Sequence, residues 1–329
     1  MRILSGGFYC FASIVLFAFC AYSQKVIMNE RCVSDYKAAY DNYMSGNYSS
    51  SLEGFSDFLS RYPQEDNPFS EQAFFYRAAA SHALTNADAD VLLSDFIRQY
   101  PQSPYLNKAS FLLADFYSDA KKFEQALAVY RGMNALALEG ESWYEYHYKY
   151  GHCLFLNGNY DEAVTELDKV REAKSRYAAS ASYFHAHIMY EQQQYEPALK
   201  EFLDLQQDKN FGKIVPYYIA QIYYYRGNYE ELIEIAPSLS EKSQSKRSGE
   251  LNRMLGDAYY KLGRYKEAIP YLEKAVQQES ADAQDYYLLG YTLLEEKEYA
   301  KAKPYLLKAT DNRDSLAQNA FYHLGICCL

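Results

Sequence analysis

Tyrosine is the side chain of this sequence that is best suited to contacts with other molecules. The 329 residues include 37 tyrosines and 18 phenylalanines but a single tryptophan. A phenol ring combines a broad apolar face with a hydroxyl group, and it has few rotatable bonds to restrain. Such rings are enriched where proteins bind other molecules. The chemistry that this composition favours is therefore recognition by contact.

Motifs that carry out catalysis are missing from the sequence. It has no glycine-rich phosphate loop, no Gly-x-Ser-x-Gly, no His-Glu-x-x-His and no Cys-x-x-Cys. His152 and His187 take the same position in consecutive copies of the repeat described below, but no further ligands at metal spacing accompany them. Asp88 and Asp90 are typical of residues that cap or solvate a helix end. We expect no enzyme activity, no metal and no cofactor.

The charge of the chain restricts its partners. Asp and Glu number 43 against 33 Lys and Arg, which gives a formal net charge of −10. Binding to phosphate rests mainly on Lys and Arg, so this balance disfavours nucleic acid and anionic lipid. We expect proteins or peptides as partners and no nucleic acid.

A repeat of 34 to 38 residues sets the positions of the tyrosines. Each copy is marked by a small residue that follows a hydrophobic one; the second copy is weaker, because it has Arg77 at this position. The marked positions are Ala39, Arg77, Ala114, Gly151, Ala186, Ala220, Gly256, Gly290 and Gly325. Apolar residues recur at intervals of three and four on both sides of a turn, where a glycine such as Gly158 suits a left-handed conformation. The repeat therefore predicts two helices per copy. With only 15 glycines and 9 prolines, the chain lacks the turns of a many-stranded β protein.

The copy that starts at Leu255 carries a resemblance to a known family. It reads Leu-Gly-x-x-Tyr up to Tyr259, then a turn, then Tyr265, followed by Ala268 and a large residue four positions later. This pattern resembles the tetratricopeptide repeat. The resemblance covers about residues 31–329 and implies an all-α, right-handed superhelical solenoid of about eight to nine helix-turn-helix repeats, the last one incomplete. It also implies a scaffold that binds partner segments along a concave face.

In this architecture the first helices line the concave face, and their stripe away from the core is rich in tyrosine. The predicted partner-binding groove consists of Tyr148, Phe155, Tyr183, Tyr190, Tyr217, Tyr224, Tyr225, Tyr260, Tyr287 and Tyr291. Acids such as Glu250 and Asp257 share the stripe, so an extended peptide with apolar and basic side chains would suit it. The alternative is that the rings stack between neighbouring repeats and enlarge the core.

Residues 1–23 are predicted to be a secretory signal peptide. Arg2 supplies the positive start, residues 8–21 form an apolar run of signal length, and the small residues at 21 and 23 fit cleavage before Gln24. The run is shorter than the ~20 residues that a membrane span needs. Lipid attachment at Cys20 is the alternative. Residues 24–30 form a short lead-in, and no later segment has the composition of a span.

The predicted location is the periplasm, or the periplasmic face of the outer membrane, of a Gram-negative bacterium. Residues 100–105 resemble the linkers of bacterial envelope repeat proteins, which points to envelope components as partners and to a role in assembling their complexes. A sensory or docking half of a longer membrane signalling protein is a rival hypothesis, because the ninth unit has a first helix and no second, which leaves Ala320 without a partner. A glycan-binding module is a second rival, since aromatic faces stack on sugars, and a self-associating structural element is a third.

Overall fold

The computed structural model describes the backbone of residues 30–62, 67–242, 245–311 and 314–328. It describes the side chains of the same ranges except for those between 236 and 248. The predicted signal peptide and residues 24–29 of the lead-in lie outside the described residues.

The described residues form α-helices joined by short connections and include no strand, which confirms the all-α prediction. Their seventeen α-helices are α1 (30–44), α2 (Tyr48–Arg61), α3 (Ser70–Ala83), α4 (Ala89–Gln99), α5 (Leu106–Asp119), α6 (Phe123–Gly132), α7 (Glu141–Leu156), α8 (Tyr160–Arg171), α9 (Ala178–Glu191), α10 (Tyr195–Asp204), α11 (Val215–Arg226), α12 (Tyr229–Lys242), α13 (Ser245–Lys261), α14 (Tyr265–Ala275), α15 (Ala283–Glu295), α16 (Tyr299–Lys308) and α17 (Ser315–Ile326). Two short 3₁₀ turns follow α6 and α10.

The helices pack in the paired manner that the repeat predicts. The chain divides after Glu166 into two compact units. In the first unit α5 packs on α6, and α3 contacts both α4 and α5. In the second unit α9 packs on α10, α13 on α14 and α15 on α16, while α11 contacts α13 and α13 contacts α15. Each odd-numbered helix is thus the first helix of a repeat. First helices of neighbouring repeats also touch, at α3 and α5 in the first unit and from α11 to α13 and on to α15 in the second.

In the seventh and eighth repeats the small residue lies where the two helices of the repeat cross. A Cβ atom added to Gly256 would lie 2.5 Å from Cδ2 of Leu272 on the second helix. A Cβ added to Gly290 would lie 2.7 Å from Cγ of Leu306 and 3.0 Å from its backbone nitrogen. Side chains that met at these distances would have to shift, so the helices approach closely because these residues carry no side chain.

Seven residues after the small residue, the backbone enters the left-handed region. Four of the eight described turns use glycine there and four do not: Gly46, Thr85, Lys121, Gly158, Gln193, Gly227, Gly263 and Lys297. Counting back from Thr85 shows that the small residue of the second repeat is Ala78, which is 1% exposed, and not Arg77. The position predicted from the sequence is wrong by one residue, because the buried Ala89 and Leu93 of the second helix follow Ala78 one residue sooner than their counterparts follow the small residue in other repeats.

The ninth unit is better packed than the sequence suggested. Ala320 is fully buried and Cys327 is 7% exposed, because α17 packs against α15 and α16 of the eighth repeat. Cys327 belongs to the hydrophobic cluster that contains Leu289 and Leu306, and Leu324 packs against that cluster. Phe321 on the other side of α17 is 59% exposed.

Replacing Gly290 with Ala tests the close crossing against a matched control in the same repeat position. The added methyl group meets Leu306 within the repeat, so Gly290→Ala should lower the free energy of unfolding by about 1–3 kcal/mol. A Cβ at Gly325 would meet no described atom within 4 Å. Gly325→Ala should therefore leave the stability unchanged or raise it slightly, since alanine favours helix. Urea unfolding of both variants measures the difference, and equal losses would contradict the crossing geometry.

Candidate partner-binding surface

The structure places all ten residues of the predicted groove on first helices. In the first unit they are on α7, and in the second unit they are on α9, α11, α13 and α15. Nine of the ten side chains are half-buried, and Tyr225 is 53% exposed. Each ring therefore contacts the protein on one side and solvent on the other.

In the first unit, the two predicted residues on α7 belong to one aromatic row. The ring of Tyr148 stacks on His152 at 5.9 Å between centroids, and His152 stacks on Phe155 at 6.4 Å. Phe155 then contacts Tyr160 at the start of α8. Burial lowers the pKa of His152, so the imidazole in this row favours its neutral form.

A lysine with two carboxylates lies on the same helix. Lys149 Nζ is 2.7 Å from Oδ2 of Asp115 on α5 and 3.0 Å from Oε1 of Glu145. The ammonium group also lies 5.5 Å from the centroid of Phe111. Burial lowers the pKa of Lys149, but the two carboxylates outweigh it and the net shift is upward. The lysine thus ties α7 to the first helix of the preceding repeat while remaining charged.

In the second unit, tyrosine hydroxyls reach the first helix of the next repeat. Tyr217 on α11 donates a hydrogen bond to Oε2 of Glu250 on α13. Gln221 donates to the same tyrosine oxygen and to Oε1 of Glu250, both at 3.1 Å. Tyr190 on α9 donates in turn to Gln221 at 3.1 Å. A connected network of hydrogen bonds therefore crosses three first helices.

Tyr224 makes the equivalent contact two helical turns further along α11. Its hydroxyl donates to Oδ2 of Asp257 at 2.6 Å, and Lys261 Nζ lies 3.4 Å from the same oxygen. Burial first, and then the bond to Asp257, raise the pKa of Tyr224. The phenol therefore stays protonated and keeps donating.

Rings on α9 pack against the next repeat as well as facing solvent. Tyr183 stacks on Phe211 with the ring centroids 4.5 Å apart. Tyr218, which is 8% exposed, stacks on Phe202 at 5.1 Å and contacts Tyr190 at 5.4 Å. The inner edge of this surface is thus part of the core.

The last three predicted residues form one aromatic cluster. Tyr260 on α13 contacts Tyr291 on α15 at 5.9 Å, and Tyr287 stacks on Tyr291 at 6.0 Å. His323 on α17 lies against Tyr291 at 4.6 Å. Burial lowers the pKa of His323, and the charge of Glu295 opposes this only in part.

Comparison with protein families identifies the repeat. The family described as "Tetratricopeptide repeat" matches residues 144–176, which span most of α7 and all of α8. The chain is a tetratricopeptide repeat protein. A second family, described as "Anaphase-promoting complex, cyclosome, subunit 3", matches residues 261–329. The comparison with curated proteins finds no match.

Two similar solved structures also carry this repeat in their descriptions. One is a tetratricopeptide repeat protein from Parabacteroides merdae, with 17% identity, a TM-score of 0.44, and coverage of 91% of this chain and 99% of that chain. The other is the C-terminal part of a repeat-containing protein from Cytophaga hutchinsonii, with 17% identity, a TM-score of 0.46, and coverage of 65% and 93%.

Tetratricopeptide repeats build scaffolds for protein–protein interaction, and this tetratricopeptide repeat protein is such a scaffold. The sequence alone located its aromatic stripe but missed the groups that hold the rings in place. Gln221 is 6% exposed and connects the first helices of three repeats, although its residue type gives no sign of burial. The sequence does not single out Tyr218, because it adjoins another tyrosine, Tyr217, which is half-buried. A signal was present in the acids, since Glu250 and Asp257 each follow their tyrosine by 33 residues.

Two further observations on this tetratricopeptide repeat protein concern metal ions and membrane spans. Within the described ranges, no group of three or more His, Cys, Asp or Glu side chains is placed to hold a metal ion. Among the described helices, none combines the length and apolar composition that a membrane span requires.

Tyr224→Phe tests whether the hydroxyl contacts stabilise the stacking of repeats. The variant keeps the ring but removes the donor to Asp257, which should lower the free energy of unfolding by about 2 kcal/mol because the acceptor is charged and half-buried. The control is Tyr299→Phe, at a tyrosine that is 42% exposed on a second helix. Urea unfolding should show a loss for the first variant and almost none for the second. Equal effects would mean that the contact adds no stability.

His152 makes one contribution to the pH dependence of the stability. Its pKa lies below the ordinary value of 6.5 in the folded protein because burial disfavours the imidazolium. The contribution of neutral His152 to the free energy of unfolding is therefore complete above pH ~6.5. It is lost as the pH falls, because His152 takes up a proton at a higher pH in the unfolded chain than in the folded protein. His152→Phe keeps an aromatic ring and removes the titration. Between about pH 7.5 and about pH 5.5, the variant should lose less free energy of unfolding than the wild type. An equal or larger loss in the variant would contradict the assignment.

Proposed function

We propose that this protein is exported to the periplasm of a Gram-negative bacterium, where it binds segments of other envelope proteins and helps to assemble their complexes. Binding occurs on the tyrosine surface of the second unit, which consists of Tyr183, Tyr190, Tyr217, Tyr224, Tyr225, Tyr260, Tyr287 and Tyr291. No bond is made or broken, and the partner is held by contact alone.

The observation that carries this proposal is the way in which the rings are held. Hydroxyl bonds to the next first helix fix Tyr217 and Tyr224, while each ring remains half-exposed. A partner that meets fixed rings has less side-chain entropy to remove on binding than one that meets freely rotating side chains. Tyr225, with 53% of its surface exposed, is the most accessible of the eight.

Charge supports a partner with basic side chains. Glu250 and Asp257 lie among the rings, and the whole chain carries a net charge of −10. A lysine or arginine of a partner can pair with a carboxylate and place its stem on a phenol ring. The same charge disfavours nucleic acid.

The location is supported by the sequence of residues 1–23, which has the charge, length and small residues of a secretory signal. Association with the outer membrane would follow from lipid attachment at Cys20. Mass spectrometry of the protein purified from its source cell distinguishes the two forms. A chain that starts at Gln24 supports cleavage, a lipid on Cys20 supports the anchored form, and an intact residue 1 argues against export.

Photo-crosslinking tests the proposed surface without destabilising it. p-Benzoyl-phenylalanine replaces Tyr225 in one protein and Tyr287 in another, so that an aromatic ring remains at each position. The matched control carries it at Tyr299, which is 42% exposed on the second helix α16. On irradiation of envelope fractions, we expect the same partner protein at both first-helix positions and none at the control. Capture at all three positions, or at the control alone, would place binding elsewhere.

A further inference from the structure

A pair of tyrosines flanks the turn between the two helices in three successive repeats of the second unit. One ring lies in the last turns of the first helix, and the other is on the first residue of the second helix. The pairs are Tyr190 with Tyr195, Tyr224 with Tyr229, and Tyr260 with Tyr265. Their ring centroids are 6.0, 6.1 and 5.7 Å apart.

The middle pair holds a cation that belongs to the protein itself. Lys261 Nζ lies 5.3 Å from the centroid of Tyr229 and 6.0 Å from that of Tyr224. It also lies 3.4 Å from Oδ2 of Asp257. A hydrogen bond with Tyr229 and the charge of Asp257 raise the pKa of this lysine above its ordinary value. Two rings and a carboxylate thus form a complete site for an ammonium group.

The first pair is occupied by a third ring. Tyr225 stacks on Tyr195 with the centroids 5.9 Å apart and the planes 25° from parallel. Tyr225 and Lys261 take the same place in their repeats, five residues after the small residues Ala220 and Gly256. The residue at this position of the next repeat therefore fills the tyrosine pair of the repeat before it.

At the third pair this position is Glu295, so a carboxylate stands where the middle pair has an ammonium group. Glu295 is exposed and its carboxylate raises the pKa of the Tyr291 phenol, and the ring of Tyr291 lies 5.9 Å from that of Tyr260. Burial is the main cause that raises the pKa of Tyr260, and the phenols of Tyr265 and Tyr287 and the carboxylates of Glu295 and Asp257 raise it further. Negative ring faces and carboxylates therefore meet at Tyr260, and the position that supplies the Lys261 ammonium group to the middle pair supplies a carboxylate here.

We propose that Tyr260, Tyr265, Tyr291 and Glu295 bind a primary alkylammonium group, such as the side chain of a lysine on a partner protein. The rings attract the cation through their negative faces, and Glu295 accepts a hydrogen bond from one N–H group of the ammonium ion. The site repeats the arrangement that Lys261 completes one repeat earlier. This inference rests on the proposed function, because Tyr260 and Tyr291 belong to the tyrosine surface. It adds that this part of the surface binds an ammonium group.

The test is a titration of the full-length protein with n-butylammonium chloride, followed by NMR of ¹³C-labelled tyrosine rings. Sodium chloride at the same ionic strength and neutral n-butanol are the reference titrants. We expect saturable shifts of the Tyr260 and Tyr265 resonances with n-butylammonium alone. Tetramethylammonium, which has no N–H group, should bind more weakly.

Variants assign the binding to individual groups. Glu295→Gln keeps the shape and removes the charge, so it should weaken binding about fivefold or more. Glu279→Gln removes an exposed acid elsewhere in the second unit and should leave binding unchanged. Glu295→Lys should abolish binding, because its own ammonium group fills the site as Lys261 fills the middle pair. Lys261→Ala should open the middle pair and give a second site of the same kind.

Several results would overturn the inference. They are shifts that do not saturate, equal binding by n-butanol, tighter binding by tetramethylammonium, or full binding by Glu295→Lys. Because the probe is a free ion, such a failure is separate from failure of the photo-crosslinking experiment. The first would remove the ammonium site, and the second would remove the partner-binding surface around it.

Discussion

The close crossing of the two helices within each repeat is the constraint on which the rest of this structure depends. Where the second helix presents Leu272 or Leu306, the first helix carries no side chain at the contact. The turn that follows closes with the same hydrogen bonds whether or not it contains glycine. Gly263 donates to Tyr260 at 2.9 Å, and Lys297 donates to Leu294 at 2.9 Å. A non-glycine residue in the left-handed region costs roughly 1–2 kcal/mol. Lys297 adopts the left-handed conformation despite this cost. The crossing of the helices therefore determines the backbone conformation of the turn, and glycine lowers the energy of that conformation.

Once the crossing is fixed, first helices of neighbouring repeats within a unit lie side by side, and contacts between them recur at the length of the repeat. Two tyrosine hydroxyls on α11 each meet an acid 33 residues later on α13. Lys149 meets Asp115 across 34 residues in the same way in the first unit. The packing interpretation and the binding interpretation of the tyrosines are therefore compatible, since the contact that fixes a ring also orients its exposed face.

The sequence was sufficient to predict the helix pairs and the aromatic stripe, because both are written in local spacing. It was insufficient where the outcome depends on a neighbouring helix. The spacing alone assigns the small position of the second repeat to Arg77, because the interval from Ala78 to the buried Ala89 is one residue shorter than in the other repeats. Ala320 was expected to lack a partner, but α17 packs on the eighth repeat and buries it. Tyr217 and Tyr218 are identical neighbours, yet the second is 8% exposed and belongs to the core.

The position five residues after the small residue shows how such a scaffold acquires specificity. It holds Tyr225, Lys261 and Glu295 in three consecutive repeats, and each residue lies near a similar tyrosine pair of the repeat before it. The crossing and the turn do not involve this position, so its residue type can change without disturbing the fold. The ring of Tyr225 stacks on the tyrosine pair, and the ammonium group of Lys261 completes a cation site. Glu295 supplies a carboxylate, which leaves the site available to a cation of another molecule. The tyrosine pairs therefore supply a surface that is nearly the same in these three repeats, and the residue five positions after the next small residue decides which groups that surface accepts.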